Sequence, residues 1–518
     1  MSAEELLACE FGQIADVLRA QAQARADKPA LIDLSGVVTY AELDLLMDRI
    51  AAALQREGVA KGESVALCAA TSVEYMAAYL GILRAGAVAA PLATSLTPET
   101  LADQLADCAA EVVFVDAAAT QALQPVCGRI AGRLVTLDGS AEGEPLASWM
   151  EPPGSRPEPV EVTPEQGFNI IYSSGTTGTP KGIVQPHRMR WAQAQGGGYG
   201  AGSVSLISTP GYSNATFVAL LPTLARGGTA VLMAKFDAGE FLRLSERHRV
   251  TQALLVPVQY RTLLQRPDFD GYDLSSYRLK FCTSAPFSPE LKAEVLRRWP
   301  GGLVEFYGMT EGGGACALRC HAHPDKLHTV GQPLPGHDVR LLGEDGLEVA
   351  PGETGEVVGR SNAMMQGYHN KPGRTADAEW ISPEGLRFIR TGDVGRFDSD
   401  GFLILLDRKK DMIISGGFNI YPSDLEAELA RRAEIAEAAV VGTPSEQWGE
   451  TPVAFVALKP GHAVEAEALR QWLNGRVGET QRLSDLRIVD HLPRSPIGKV
   501  LKRELRDAYL SPGMQAAP

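Results

Sequence analysis

Cysteine is scarce in this sequence, basic charge is in deficit, and neither an export leader nor a clean membrane-length apolar run is present. The seven cysteines are scattered from Cys9 to Cys320 without a paired framework. An odd number without an export signal fits reduced thiols in a cytoplasm, where we expect the protein to reside. The one local cluster, Cys316, Cys320, His321 and His323, has the spacing of no common structural zinc site, so we expect no metal there. Lysine plus arginine is 49 against 63 for aspartate plus glutamate, a formal net charge of −14. This sign disfavours nonspecific binding to nucleic acid or anionic membranes, while leaving room for a local basic nucleotide pocket. The start Met1-Ser2-Ala3-Glu4-Glu5 lacks the basic end and apolar core of a secretory signal. The uncharged stretch 191–225 is broken by glycines and by Ser205, Ser208, Pro210, Ser213 and Asn214, so it reads as buried loop and core rather than a membrane span. With 45% hydrophobic and 22% charged residues, most of the chain is expected to fold.

A length of 518 residues exceeds what one hydrophobic core usually serves, so at least two domains are expected. Helical spacing over residues 40–57 and 73–84 alternates with short apolar runs at 64–69 and 112–115. That alternation predicts an α/β body of layered, largely parallel sheets and helices. There is no internal repeat, and residues 151–164, rich in proline and acids, read as a surface linker within the body. A charge cluster, Asp407-Arg408-Lys409-Lys410-Asp411, follows the apolar residues 402–406. It suggests a body over 1–406, a mobile hinge over 407–410 and a small α+β C-terminal lid domain over 411–518. In the lid, Ser423-Asp424-Leu425-Glu426 has the pattern of a capping box, and residues 438–441 and 453–458 read as strands.

The sharpest local signal is Ile170-Ile171-Tyr172-Ser173-Ser174-Gly175-Thr176-Thr177-Gly178-Thr179-Pro180-Lys181-Gly182, hydroxyls and glycines behind an apolar strand. Glycines let backbone N–H groups turn towards an anion, hydroxyls add donors and the lysine adds charge, a combination suited to a polyphosphate. It is not a Walker loop, because Pro180 precedes Lys181 and Gly182 follows it.

Further segments follow in order: Tyr307-Gly308-Met309-Thr310-Glu311, Thr391-Gly392-Asp393, Asp407-Arg408, Ser415-Gly416-Gly417-Phe418-Asn419-Ile420-Tyr421-Pro422 and Pro496-Ile497-Gly498-Lys499. Together they resemble the adenylate-forming superfamily of acyl- and aryl-CoA ligases, luciferases and stand-alone adenylation domains, over nearly the whole chain. The resemblance implies an ATP-dependent ligase that activates a carboxylic acid as an acyl-adenylate, releases pyrophosphate, and passes the acyl group to coenzyme A with loss of AMP. It assigns Ser173, Ser174, Gly175, Thr176, Thr177, Gly178, Thr179 and Lys181 to the β- and γ-phosphates of ATP. Ser284, Ala285, Pro286 and Tyr307 would frame the adenine, Thr310 would meet the α-phosphate, and Glu311 would help hold Mg²⁺. Asp393, with Arg408 nearby, would bind the ribose, and Lys410 would be the pivot. Gly416 and Gly417 would let the backbone approach the pantetheine arm of CoA. Lys499 would supply the cation for adenylation, and it has the sequence context in which family members are modified by a protein acetyltransferase.

The chemistry explains why such residues recur. A carboxylate attacking an anionic phosphate is opposed by charge, so the site must supply cations and in-line positioning. No general base is needed, since the attacking carboxylate is already ionised near neutral pH. The resemblance also places Tyr212, Ser213 and Asn214 along the acyl gate and Phe306, Gly308, Gly313 and Gly314 along the pocket wall. Ser213 departs from the histidine that many relatives carry there. Glycines 312–314 either make room for the acid or serve a turn. A carrier protein loaded in trans is the alternative acceptor, although no carrier module follows Lys499. A luciferase-type oxygenase would need a special acid, and a non-catalytic nucleotide-binding regulator would be expected to have lost the chemistry residues that remain here. A homodimer is compatible with all of these.

Overall fold

Runs such as Ser64–Cys68 and Val112–Val115 are too short for stable helices and almost wholly buried, the pattern of strands covered on both faces. The computed structural model of the protein describes residues 1–140, 142–173, 181–415, 418–446, 448–478, 481–495 and 498–511. The chain forms two compact units, Met1–Asp338 with Gly359–Ile389, and Val339–Val358 with Arg390–Pro518. Residues 407–410 fall inside the second.

Among the described residues the first unit holds two mixed sheets. One is nine-stranded, in the order Gln332–Pro333, Cys316–Arg319, Gly302–Tyr307, Leu279–Cys282, Gln252–Leu255, Val204–Ile207, Thr229–Leu232, Pro29–Ile32 and Val37–Thr39. Its six strands from Gly302–Tyr307 to Pro29–Ile32 are parallel, and antiparallel strands lie outside them. The other is eight-stranded, with Gly167–Ser173, Val88–Pro91, Ser64–Cys68, Val112–Val115, Arg133–Thr136 and Glu144–Pro145 parallel, and Lys181–Pro186 and Gly367–Tyr368 added antiparallel.

Two helices in the core of this unit, Val73–Arg84 and Asn214–Ala225, are buried on nearly every side, as their almost uniformly apolar sequences require. Tyr79 from one stacks on Phe217 from the other with ring centroids 4.2 Å apart. The stretch 191–225 is therefore more ordered than buried loop. It contains the end of helix His187–Ala194, strand Val204–Ile207 and helix Asn214–Ala225, whose N-cap is Ser213. The glycines and serines that break a membrane span act here as turns between short elements. Residues 151–164 are irregular and mostly exposed, and are tied to the long helix Tyr40–Arg56 and the residues after it by Arg49 Nε to Glu151 O, Gln55 Nε2 to Glu158 O and Lys61 Nζ to Glu161 O.

In the second unit, the later part of strand Arg387–Phe397 pairs with Leu403–Arg408. A further sheet carries Ile413–Ser415, Phe418–Ile420, Ile435–Ser445, Gly449–Leu458 and Asp485–Val489. Helices Pro422–Leu429 and Ala466–Asn474 close over one apolar core with Leu425, Leu429, Val440, Val456, Leu469 and Leu473. The expected capping box at Ser423 does not form. Pro422 starts the helix, its N-cap Tyr421 makes no side-chain cap, and the Ser423 hydroxyl donates to Leu406 O while its N–H donates to Asp407 Oδ2 at 2.9 Å. No helix among the described residues is long and apolar enough to cross a membrane.

Candidate active site

Parallel strands deliver their following loops to one edge of the sheet, the usual place for a ligand in α/β folds. Leu279–Cys282 runs into Ser284, Ala285 and Pro286; Val204–Ile207 runs into Tyr212, Ser213 and Asn214; Gly302–Tyr307 ends in Phe306 and Tyr307 and leads to Gly308, Thr310 and Glu311. Three segments far apart in sequence thus leave the carboxyl edge of one sheet together. Ser284 has φ of +80°, a conformation that costs a non-glycine residue roughly 1–3 kcal/mol and is concentrated at binding sites.

In the other sheet, Gly167–Ser173 and Lys181–Pro186 form an antiparallel pair in which Ser173 faces Lys181. Ser174, Gly175, Thr176, Thr177, Gly178 and Thr179 lie outside the described residues, as do Gly416 and Gly417. The Lys181 ammonium sits 5.2 Å from the centroid of the Tyr368 ring, and the Tyr368 hydroxyl donates to Glu311 Oε1 at 2.9 Å. Burial, reinforced by the Glu311 carboxylate, raises the Tyr368 pKa and keeps that hydroxyl a donor. The lysine assigned to the phosphates and the carboxylate assigned to the metal are thereby joined through one tyrosine. Nothing in the sequence singled Tyr368 out, because it lies far along the chain from both partners.

Thr310 and Asn214 are likewise joined, by Gln185, whose Nε2 donates to Thr310 O at 2.6 Å and to Asn214 Oδ1 at 3.1 Å. Ser213 Oγ accepts from Ala215 N at 3.3 Å and so caps the helix Asn214–Ala225. Phe306 stacks on Phe281 at 5.7 Å, and Phe281 on Tyr199 at 5.9 Å, an aromatic column at the assigned pocket wall.

Gly312 and Gly313 have φ of +75° and +92°, and a Cβ on Gly312 would lie 1.9 Å from Ala363 O. The turn and the close approach of residues 359–364 account for both glycines, and a Cβ on Gly359 would in turn fall 2.2 Å from Gly314 N. Gly308 differs. A Cβ there would meet only the Ala315 methyl, at an ordinary 3.5 Å.

In the second unit, Asp393 and Arg408 are register partners on paired strands, with Arg408 Nε 3.0 Å from Asp393 Oδ1. Thr391 Oγ1 donates to Val357 O at 2.8 Å and accepts from Asp393 N at 3.0 Å, fixing the turn that presents the carboxylate. Lys499 belongs to the same group. Burial, then the charges of Arg408 and Lys410, push its ammonium down to about 8, against the opposing pull of Asp393 and Asp411. The Lys499 carbonyl oxygen accepts from Ser495 N at 2.8 Å, and the neighbouring Gly498 takes φ of +78°. Among the described residues no group of three or more His, Cys, Asp or Glu is arranged to hold a metal. A lone carboxylate, Glu311, is compatible with Mg²⁺, which is commonly held by one or two carboxylates together with substrate phosphates.

Loops gathered at the carboxyl edge of one sheet, a lysine joined through a tyrosine to a carboxylate and, in the second unit, an aspartate paired with arginine near a half-buried lysine are the arrangement expected of an adenylate-forming enzyme. The model of the AMP-binding enzyme family matches residues 18–369, and that of its C-terminal domain matches residues 424–499. The chain belongs to this family. It is 34% identical over 480 residues to a feruloyl-CoA synthase of Amycolatopsis sp, covering 91% of this chain and 94% of that one. It is 33% identical over 485 residues to an indoleacetate–CoA ligase of Aromatoleum aromaticum, covering 90% and 92%. Among solved structures, an amide bond synthetase from Marinactinospora thermotolerans superposes with a TM-score of 0.86 at 28% identity, covering 96% of this chain and 99% of that one.

Proposed function

We propose that the protein is a coenzyme A ligase for aromatic or aryl-substituted carboxylic acids, working through an acyl-adenylate. The observation that carries the adenylating step is the grouping of Lys499 with Asp393 and Arg408, which sets a desolvated cation beside the assigned ribose carboxylate. The aromatic column Tyr199, Phe281 and Phe306, together with the activities named for the two curated relatives, supports an aryl acid.

In this reading residues 173–181 bind the β- and γ-phosphates, Ser284, Ala285, Pro286 and Tyr307 frame the adenine, and Asp393 accepts from the ribose hydroxyls. Thr310 and Lys499 hold the α-phosphate in line with the acid, whose carboxylate oxygen forms the new P–O bond as the bond to pyrophosphate breaks. Bound Mg²⁺, held by Glu311, would neutralise phosphate charge. The CoA thiolate then attacks the acyl carbon of the mixed anhydride, and AMP leaves with the electron pair of the broken C–O bond. Rotation about Lys410 would exchange Lys499 for Gly416 and Gly417 between the two steps.

A screen of CoA-dependent AMP release across hydroxycinnamates, benzoates, arylacetates and fatty acids of increasing length tests this, with pyrophosphate exchange measured alongside. Preference for fatty acids would overturn the acid class. Exchange without CoA-dependent AMP release would move the acceptor to a carrier protein or an amine, the latter in keeping with the amide bond synthetase.

A further inference from the structure

Arg190 is fully buried, and its side chain donates to three neutral amides. Its Nε donates to Asn169 Oδ1 at 3.0 Å, one terminal nitrogen donates to Gln193 Oε1 at 2.8 Å, and the other donates to Gln185 Oε1. The faces of Phe217 and Phe168 cover the guanidinium at 5.5 and 6.0 Å. Burial lowers its pKa to about 10, which still leaves it charged at neutral pH. Placing a cation among neutral groups is expensive, and what this one achieves locally is the orientation of an amide.

Arginine can only donate and a backbone carbonyl can only accept. Gln185, itself fully buried, stands between Arg190 and Thr310 O, so a single orientation satisfies both neighbours: Oε1 towards the guanidinium and Nε2 towards the carbonyl. Asn169 reinforces that choice, because its Oδ1 is taken by Arg190 and its Nδ2 donates to Gln185 Oε1 at 2.9 Å. The two N–H groups of Gln185 then reach the assigned nucleotide threonine and the assigned gate asparagine at the same time.

We propose that Gln185 is a positioning residue for adenylation, locked by Arg190 and Asn169, which ties the Thr310 backbone to the acyl gate at Asn214. The inference rests on the reading that Thr310 meets the α-phosphate. It predicts a defect in the rate of the first half-reaction rather than in ATP binding, because a small displacement of a group at the reacting centre costs rate most.

Gln185→Glu keeps the acceptor oxygen and the shape of the side chain but replaces its NH2 donor with a second acceptor, and Arg190 provides a counter-ion. Asn169→Asp places a second acceptor against Gln185 Oε1 and favours the flipped amide. Both variants are assayed by pyrophosphate exchange, with circular dichroism to follow folding and the wild-type enzyme as the control for adenylation itself. The expected result is a folded protein whose exchange kcat falls by about tenfold or more, while KM for ATP changes by less than about threefold. Wild-type kcat in folded Gln185→Glu would overturn the proposal. So would a loss of activity that only follows the fraction unfolded, or failure of both variants to fold, since the role would then be structural. If the wild-type enzyme shows no exchange, the adenylation reading fails first and separately.

Discussion

Raising the pH should switch off acid activation before it affects anything else. In the proposed function Lys499 acts as a cation, and burial together with Arg408 and Lys410 brings its pKa down to about 8. A group with that pKa is about 90% charged at pH 7 and about 10% charged at pH 9, so the adenylating rate should fall by about tenfold between them. The sign follows from the requirement for charge: activity is full below the depressed pKa and is lost as pH rises through it. Pyrophosphate exchange with saturating acid and ATP, measured from pH 6.5 to 9.5, gives the profile directly. Transfer from chemically supplied acyl-AMP to CoA should not share this loss, because a higher pH favours the attacking thiolate. Lys499→Arg, which keeps its charge throughout, should flatten the descending limb. Lys499→Ala should lower adenylation by roughly a hundredfold or more while leaving transfer from acyl-AMP in place. An exchange profile that is flat between pH 7 and 9, or one whose descending limb survives in Lys499→Arg, would refute the assignment.

Asp393→Ala should raise the ATP requirement strongly without unfolding the protein, since hydrogen bonds to a charged group are worth about 1.5–3 kcal/mol each, and calorimetry of ATP binding checks this. Gly312→Ala should destabilise the first unit by about 2 kcal/mol or more, because the added carbon meets Ala363 O and the backbone sits at positive φ. Gly308→Ala should melt as the wild type does, and any loss it shows should appear in KM for the acid. Lys410→Pro should slow both half-reactions by restricting the proposed pivot, which rapid-quench measurement of each step would detect.

The elements legible in the sequence are those whose burial is uniform or strictly periodic. Residues 73–84 and 112–115 match a helix and a strand end for end, and the helix read over 40–57 spans Tyr40–Arg56. The strands read at 438–441 and 453–458 mark the apolar centre of Ile435–Ser445 and the apolar C-terminal part of Gly449–Leu458, whose remaining residues are held by the ladder between them. Ser423 misled because its hydroxyl could cap a helix or bind a distant carbonyl, and local pattern cannot tell these apart. The candidate site was legible as short motifs. Its supports were not legible: Tyr368 reaches Glu311 across 57 residues and Gln185 reaches Thr310 across 125, while Asn169 and Arg190, closer along the chain, carry no motif that pairs them with Gln185.

The one-sided exit of the site loops from the nine-stranded sheet leaves its other edge without any residue assigned to binding or chemistry. The turns entering Thr229–Leu232, Gln252–Leu255 and Gly302–Tyr307, at 226–228, 248–250 and 299–301, belong to that edge. Arg249 stands there exposed, in the left-handed conformation at φ +48°. That makes the amino edge a handle: a peptide tag inserted at 249, or the enzyme immobilised through it, would load the scaffold from the side opposite to catalysis and leave the carboxyl edge open to substrate.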